Sequence, residues 1–547
     1  MNDANDKMGM LACRMRWKSS DEMIKKNMMT NWRLRSIYLV LVVFFLASCE
    51  SPDSNSEKTA ASTNVNLTSL GKIQPKNSKE VSGSYWGIQA STLDPELLQR
   101  AADIGVKWTR LHCYWNDVEK EKGVYDWSET DEAFEAILKT GITPFVTVGH
   151  GNKIYSKMTT YDDPKLAEIY GYKPAPPIKD PVAMEAWLRF VETAIERYKD
   201  QITYWEIWNE PNHRNYWGGK PDGKEYGQLL NQTAKLILKA HPDAKIIGGS
   251  MAGINPTFTE HFLSVADNAS LIDIITYHNY GSVPEERVYK AVELLEVMKK
   301  FNPDMKLWQG ECGYPSHSST RDYRGRAPWG LNIQAKWLLR QAFTDTYFCE
   351  ATMSNYFKLV HMGGRGDQPK RTGLSSLDSL FGYPERRGSR VKTKGVNEKC
   401  ILTNPDLKPK QAYFTYQNLC ALMDDSYKVF KTKHELTVQD QGIFYGIGEE
   451  DDAFPSQPLL ASFKTEDDKH LLAYWLPWNA QEYLPRLAEV AMKIDQVQFD
   501  NPVLVDLLNG DVYDLKAFQN QEDKIVFDKL PLADYPLAIV ESEEIEF

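Results

Sequence analysis

Short apolar runs alternate with amphipathic stretches from residue 84 to about residue 422. Runs rich in β-branched and aromatic residues at 85–90, 107–112, 143–149, 203–209, 244–249, 272–278, 306–311 and 351–357 predict strands. Between them, apolar residues three and four apart predict helices at 95–104, 129–140, 181–199, 224–240, 257–265, 284–300 and 334–343, with an eighth at 411–423. Asp94-Pro95 marks the first start, a capping side chain followed by a proline, whose missing N–H has no partner to lose in a first turn. Eight such units in about 340 residues fit a (β/α)8 barrel, which takes ~250 residues and more with insertions. A doubly wound open sheet is the alternative, but the glycine fingerprint that would cradle a phosphate after the first strand is missing.

After residue 426 the period changes to two. Residues 471–476 read as a strand, 502–508 and 511–515 flank the hairpin signal Asn509-Gly510, and 524–528 and 536–541 supply more strands. The pattern therefore predicts an α/β chain with a catalytic barrel over 81–424 and an antiparallel β-sandwich over 425–547. The sandwich serves either as structural support or as a carbohydrate-binding module. Residues 50–80 are Ser, Asn, Thr and Lys with almost no apolar period, which predicts a flexible tether.

In a barrel the chemistry sits where the strands end. Strand two ends near Arg110 and His112, strand three at His150, strand four at Asn209-Glu210, strand six at His278 and Tyr280, and strand seven at Glu311. A lone glutamate is usually a solvated surface group, but two at strand ends beside His, Asn and Tyr make a site. Glu210 and Glu311 are 101 residues apart, three strand–helix units, so they face each other across the mouth. Glycoside hydrolysis needs such a pair: one neutral carboxyl protonates the leaving oxygen, and one carboxylate attacks the anomeric carbon. Arg110 and Tyr280 are placed to supply the cation and hydrogen-bond donor that an attacking carboxylate uses, and Asn209 to bind the adjacent sugar hydroxyl.

The string Trp208-Asn209-Glu210-Pro211 resembles the acid/base motif of clan A glycoside hydrolases. Its surroundings resemble glycoside hydrolase family 39: Asn215-Tyr216-Trp217-Gly218, Glu225-Tyr226, Ile247-Gly248-Gly249, Gly123-Val124-Tyr125-Asp126-Trp127 with Asp131, Gly141-Ile142-Thr143-Pro144-Phe145 and Thr276-Tyr277-His278-Asn279-Tyr280. The resemblance covers about 85–315. It implies a TIM barrel with an attached β-sandwich and a retaining exo-glycosidase, of the β-xylosidase or α-L-iduronidase kind. Carried over by position, it implies Glu210 as acid/base, Glu311 as nucleophile, Asn209 as the hydroxyl-binding asparagine, Tyr280 as the tyrosine that positions the nucleophile, and His278 as the histidine two places before it. Gln309-Gly310-Glu311-Cys312-Gly313 departs from the commoner Thr-Glu string, and Tyr356 or Phe357 stands where clan members often end strand eight with tryptophan.

Composition adds a substrate class and a location. Aromatics are 12% of the chain, with 15 Trp and 28 Tyr, a supply of flat faces that suits sugar stacking as well as core packing. Trp115 and Trp217 are the candidate platforms, and His150, between glycines, is either a substrate contact or a loop-holding residue. The formal charge of -11 argues against nucleic acid as partner. Residues 361–410 are locally basic, with 11 Lys+Arg against 5 Asp+Glu, and Arg321, Arg324 and Arg326 add to them. Guanidinium groups suit carboxylate or sulfate, so the oligo- or polysaccharide substrate is either anionic or indifferent to a solvated basic loop.

No zinc-type spacing occurs among the ten histidines, and hydrolysis by two carboxylates needs no metal or other cofactor. Arg33 and Arg35, an apolar run at 37–46 and Leu46-Ala47-Ser48-Cys49 describe an export segment over 1–49 that ends in a string resembling a lipobox. Ten apolar residues are too few to span a bilayer, which takes about 20. The expected location is the cell envelope, with Cys49 acylated and the lipid as the only membrane contact. Ordinary signal cleavage, giving a periplasmic or secreted protein, is the alternative. The expected function is a retaining, exo-acting glycosidase on plant or algal glycans containing β-xyloside, arabinoside or uronate. An endo-acting clan A glycanase and a catalytically dead glycan-binding lipoprotein are its rivals.

Overall fold

A computed structural model describes residues 63, 65–90, 94–158, 174–280, 283–316, 330–360, 399–403, 406–442, 444, 457–482, 484 and 486–547. All lie within one unit, Ala60–Phe547. Eight parallel strands close a barrel in chain order: β2 (Trp86–Ile88), β3 (Trp108–Tyr114), β4 (Thr143–Gly149), β5 (Tyr204–Ile207), β6 (Lys245–Ala252), β7 (Ile274–His278), β8 (Lys306–Cys312) and β9 (Met353–Tyr356). Each lies within a few residues of its predicted position. β9 closes the ring on β2, with Trp86 opposite Ser354. The barrel is the expected architecture, and the open sheet is excluded.

Inside the barrel, side chains two apart along each strand form layers. Towards the strand starts Phe145, Ile247, Ile274, Trp308 and Met353 fill the centre, with Trp108 and Tyr204 against them. The Trp108 and Trp308 rings are 5.1 Å apart. One layer further up, the filling turns polar: Arg110, Thr147, Glu206 and Thr276 point inward and are fully buried. This switch from aromatic plug to charged layer puts the site's foundation inside the core. The surrounding helices bury their apolar stripes outside the strands. Asp180 caps the helix Pro181–Tyr198 and Asp222 caps Gly223–Ala240, each accepting from two backbone N–H groups.

The remaining strands form two antiparallel sheets. One runs in the order β1 (Thr68–Lys72), β16 (Asp511–Asp514), β15 (Pro502–Asp506), β19 (Leu537–Glu541), β13 (His470–Trp475), β12 (Leu459–Lys464) and β10 (Lys428–Val429). The other runs β11 (His434–Asp440), β14 (Ala488–Asp495), β18 (Lys524–Leu532) and β17 (Phe518–Gln521). The hairpin at Asn509-Gly510 forms, with Gly510 at φ 82° closing a four-residue loop between Asp506 and Asp511.

β1 corrects the tether reading of 50–80, because residues 68–72 pair with Asp511–Asp514. This strand is short and mostly exposed, so its own sequence carries no buried face. The edge of β16 and the Lys72–Asp511 contact at 2.6 Å specify it instead. The sandwich is thus built from both sides of the barrel in sequence.

Buried charges join the two layers. Lys336, on the helix Leu331–Phe343, meets Asp534 at 2.9 Å and donates to the Gln481 carbonyl at 2.6 Å. On the helix Gln411–Leu422, Thr415 and Asn418 donate to the carbonyls of Leu508 and Leu507. Both helices flank β9, so the sandwich buttresses the strands that carry one wall of the mouth.

Candidate active site

The chain leaves β5 through a strained turn. Trp208 sits at φ 74° and Glu210 at φ 48°, and Ser250, near the end of β6, at φ 46°. Left-handed conformations cost a non-glycine residue roughly 1–3 kcal/mol and are kept where surrounding bonds over-determine them. The bonds are present: Trp208 N donates to Val148 O at 2.8 Å and Glu210 N to Ser250 O at 2.8 Å. Asn212 clasps Ala252 on β6, accepting from its N–H at 2.8 Å and donating to its carbonyl at 3.0 Å. Asn212 thereby pins the loop that carries Glu210 to the mouth.

Beneath the mouth lies an ion pair the sequence reading missed. Glu206 accepts from Arg110 Nε at 2.7 Å and also from Arg110 Nη2, from Thr147 Oγ1 at 2.7 Å and from Thr276 Oγ1 at 2.7 Å. So held, Arg110 donates through Nη1 to Glu311 Oε1 and through Nη2 to Asn209 Oδ1 at 2.9 Å and Ser250 Oγ at 2.9 Å. Because Asn209 accepts through Oδ1, its amide NH2 remains a donor. Ser250 accepts from Arg110, so its hydrogen is available to His278 Nε2 at 3.3 Å. His278 then carries its proton on Nδ1 and donates to Glu210 Oε1 at 2.9 Å.

The two expected carboxylates are buried in the mouth and converge. One donor atom from each of Glu210, His278 and Glu311 lies within 4.8 Å of the other two. Such a cluster could hold a metal ion, but Arg110, Tyr280 and His278 already engage its carboxylate oxygens. Tyr280 donates to Glu311 Oε2 at 2.8 Å. Burial by itself would raise the Glu311 carboxyl, yet His278, Arg110, the Tyr280 hydroxyl and Lys399 outweigh it and hold the group below its ordinary value. Lys399 lies 3.7 Å over the Tyr280 ring. Burial brings its ammonium down to about 8, against the opposing pull of Cys312, Glu311, Glu210 and Cys400.

Arg110, Asn209, Glu210, His278, Tyr280 and Glu311 therefore come together in the mouth. Trp115 and Trp217 do not, and the stacking assignment is corrected. Both are fully buried. Trp115 packs on Tyr155, Trp187 and Phe190, and Trp217 on Trp208 and Tyr226, so neither has a face left for sugar. His150 belongs to an arc of rings at the ends of β3 to β5. It lies 4.9 Å from Tyr114 and 5.8 Å from Tyr216, and His112 stacks on Tyr114 at 4.7 Å. At the end of β9 Phe357, not Tyr356, meets the site, its ring 5.8 Å from that of Tyr280. Gly313 is required there, since a Cβ would collide with the Phe357 carbonyl.

Glu206, Ser250 and Lys399 also join this cluster and were missed from sequence. A charged residue inside the apolar run Tyr204-Trp205-Glu206-Ile207-Trp208 was a usable signal for Glu206, because an inward-facing buried carboxylate needs a cation. Cys49, Arg321, Arg324, Arg326 and residues 361–398 of the basic segment lie outside the described residues.

Comparison with known proteins agrees with this picture. The curated relatives include the aryl-phospho-beta-D-glucosidase BglA of Bacillus subtilis, 23% identical over 235 residues, 40% of this chain and 42% of that protein. The 6-phospho-beta-glucosidase of Clostridium longisporum is 26% identical over 119 residues, 20% of this chain and 22% of its own. The chain thus matches less than half the length of these relatives.

Among solved structures, a family 39 glycoside hydrolase from Bacteroides cellulosilyticus WH2 superposes with TM-score 0.56 at 17% identity, covering 86% of this chain and 83% of that one. A family 30 endoxylanase from Clostridium papyrosolvens gives 0.53 at 10% identity, covering 87% and 100%. These likenesses establish the shared fold. Residues 80–303 match the family model of glycosyl hydrolases family 39, a span that holds Arg110, Asn209, Glu210, His278 and Tyr280 and stops short of Glu311.

Proposed function

We propose that this protein is a retaining O-glycosidase in which Glu210 is the acid/base and Glu311 the nucleophile. The observation that carries the reading is the convergence of their donor atoms to within 4.8 Å at the C-terminal mouth of the barrel. Double displacement uses carboxyl groups about 5–5.5 Å apart, whereas inversion leaves ~6.5–9.5 Å for a water.

The surroundings of the two groups support different roles. Glu311, paired with Arg110 and Tyr280, is kept anionic and attacks the anomeric carbon, forming an ester as the glycosidic bond breaks. Glu210 gives its proton to the departing oxygen, then takes one from the water that cleaves the ester. His278 donates to Glu210 Oε1 and steadies the carboxylate left between the two steps. Asn209 offers its amide to the hydroxyl beside the anomeric carbon. The names of the curated relatives and the family 39 match support hydrolysis of a glycosidic bond.

We take the action to be exo, on plant or algal glycans, because the arc of His112, Tyr114, His150 and Tyr216 walls one side of the mouth as a pocket would require. The lipobox-like string ending at Cys49 supports a lipid anchor in the envelope, checked by fatty-acid labelling lost in Cys49→Ala. A panel of 4-nitrophenyl glycosides tests the reaction. Glu311→Gln and Glu210→Gln should each lower turnover of the active glycoside by about 10²–10⁴-fold. Equal hydrolysis by both variants and the parent contradicts the proposal.

A further inference from the structure

Ser250 holds a backbone conformation that a serine does not favour. Its φ of 46° lies in the left-handed region, where glycine would carry no penalty, so its side chain is kept for what it does. That side chain is fully buried. Among the described residues its hydroxyl meets two groups, Arg110 Nη2 at 2.9 Å and His278 Nε2 at 3.3 Å. A guanidinium has no acceptor to offer, so the buried O–H finds its acceptor in the Nε2 lone pair. The neutral ring then keeps one N–H, on Nδ1. That nitrogen is 2.9 Å from Glu210 Oε1 and 3.7 Å from Glu311 Oε2, so its hydrogen bond goes to Glu210.

The tautomer decides where an acid on Glu210 keeps its proton. A carboxylic acid carries hydrogen on one oxygen, and an oxygen that accepts from a neighbouring N–H serves as the carbonyl one. With Nδ1–H donating to Oε1, the Glu210 proton sits on Oε2, the oxygen that His278 does not touch. The opposite tautomer would present a lone pair at Nδ1. The proton would then sit on Oε1 and be donated to the ring, out of reach of a departing oxygen, and Glu210 would be protonated without being an effective acid. Side chains thus run unbroken from one carboxylate to the other: Glu311, Arg110, Ser250, His278, Glu210.

We infer that Ser250 is a positioning residue that confines the Glu210 proton to Oε2, by fixing which nitrogen of the His278 ring carries hydrogen. The use made of that proton rests on the glycosidase reading, whereas the state of the ring can be read without turnover. Nitrogen NMR of the wild-type protein carrying isotope-labelled histidine, with the His278 signals assigned by their loss in His278→Asn, should show a neutral ring protonated on Nδ1. Ser250→Gly removes the hydroxyl and suits the left-handed backbone, and Ser250→Ala removes it with the Cβ kept. Both should move the ring to a mixture of tautomers or to Nε2–H. A wild-type ring protonated on Nε2 or on both nitrogens, or a ring unchanged in both variants, overturns the inference.

Leaving groups supply the kinetic readout, on whichever sugar the glycoside panel shows to be cleaved. For the methyl glycoside, whose departing oxygen needs the proton, kcat/KM should fall by about 10²-fold or more in Ser250→Gly, and for the 2,4-dinitrophenyl glycoside, which leaves unaided, by no more than about threefold. A merely structural role, or one exerted on Glu311 through Arg110, would lower both alike. Equal losses on the two substrates, or no loss on either, overturn the inference and leave the hydrolase reading in place. A wild type that cleaves no glycoside sinks the hydrolase reading, and the tautomer of His278 still decides this one.

Discussion

Glu206→Gln isolates the charge beneath the site with little change of shape. The glutamine oxygen can keep the place of Oε2, accepting from Arg110 and Thr147, while its NH2 group takes the place of Oε1 and donates to Thr276 Oγ1, now 2.7 Å away. The contacts survive and the anion is lost. Removing one partner of a buried ion pair costs about 3–5 kcal/mol, and because Arg110 keeps Glu311 the loss belongs near 3 kcal/mol. With Glu206 neutral, Arg110 gives its whole charge to Glu311. That carboxylate is then held lower still and is less willing to attack.

Two assays read the change. Denaturant unfolding followed by tryptophan fluorescence should show the destabilisation, and the pH profile of kcat/KM should show its acid limb moved to lower pH with a smaller plateau. The direction follows because the limb marks protonation of Glu311, and a group stabilised as an anion protonates only in stronger acid. Stability within about 0.5 kcal/mol of the parent, as for an ordinary surface change, together with an unmoved limb would refute the argument.

Other perturbations probe separate parts of the structure. In the parent protein the acid limb of kcat/KM should already lie below the usual carboxylate range, because Glu311 is held low by His278, Arg110, Tyr280 and Lys399 against burial. A limb at or above that range would contradict it. Asn209→Ala should lower kcat/KM by about 10²-fold or more with a 2-hydroxy substrate but far less with the 2-deoxy analogue, as for loss of a transition-state donor.

Asp345 is buried behind β9, and burial pushes it up to about 7 despite bonds from Ser354, Gln341 and Tyr277. Between its unfolded value and 7 the native state holds a proton the unfolded chain has released, so stability falls as pH rises through that window. Asp345→Asn should flatten that slope in melting curves at pH 5 to 7. Asp534→Asn leaves the Lys336 ammonium buried without its anion and should destabilise the protein by about 3 kcal/mol or more, read by denaturant unfolding.

The barrel was legible in the sequence because its strands are short apolar runs with glycine and proline between them, separated by long amphipathic helices. The double glutamate site was legible because Glu210 follows β5 closely and Glu311 lies one residue before the end of β8, and a strand end in this architecture is a known place. Fine geometry was less so. Trp115 and Trp217 show why: an aromatic near a strand end looks the same in sequence whether it faces the mouth or the helix layer, and here both fill gaps between the barrel and its helices.

Ser250 carries no pattern, yet a left-handed turn places its hydroxyl between Arg110 and His278. Lys399 comes from a long loop without period, so only folding brings it to Tyr280. β1 was missed because its stability comes from a partner strand more than 430 residues away, as its Lys72–Asp511 contact shows.

The account stands or falls on what happens at the anomeric carbon. Proton NMR of the first-formed sugar, recorded during hydrolysis of whichever glycoside is turned over, reads it without further assumption. Attack by Glu311 followed by water on the opposite face predicts a product with the anomeric configuration of the substrate. A first product of inverted configuration would mean that water attacks directly, and that Glu311 does not bond to the sugar.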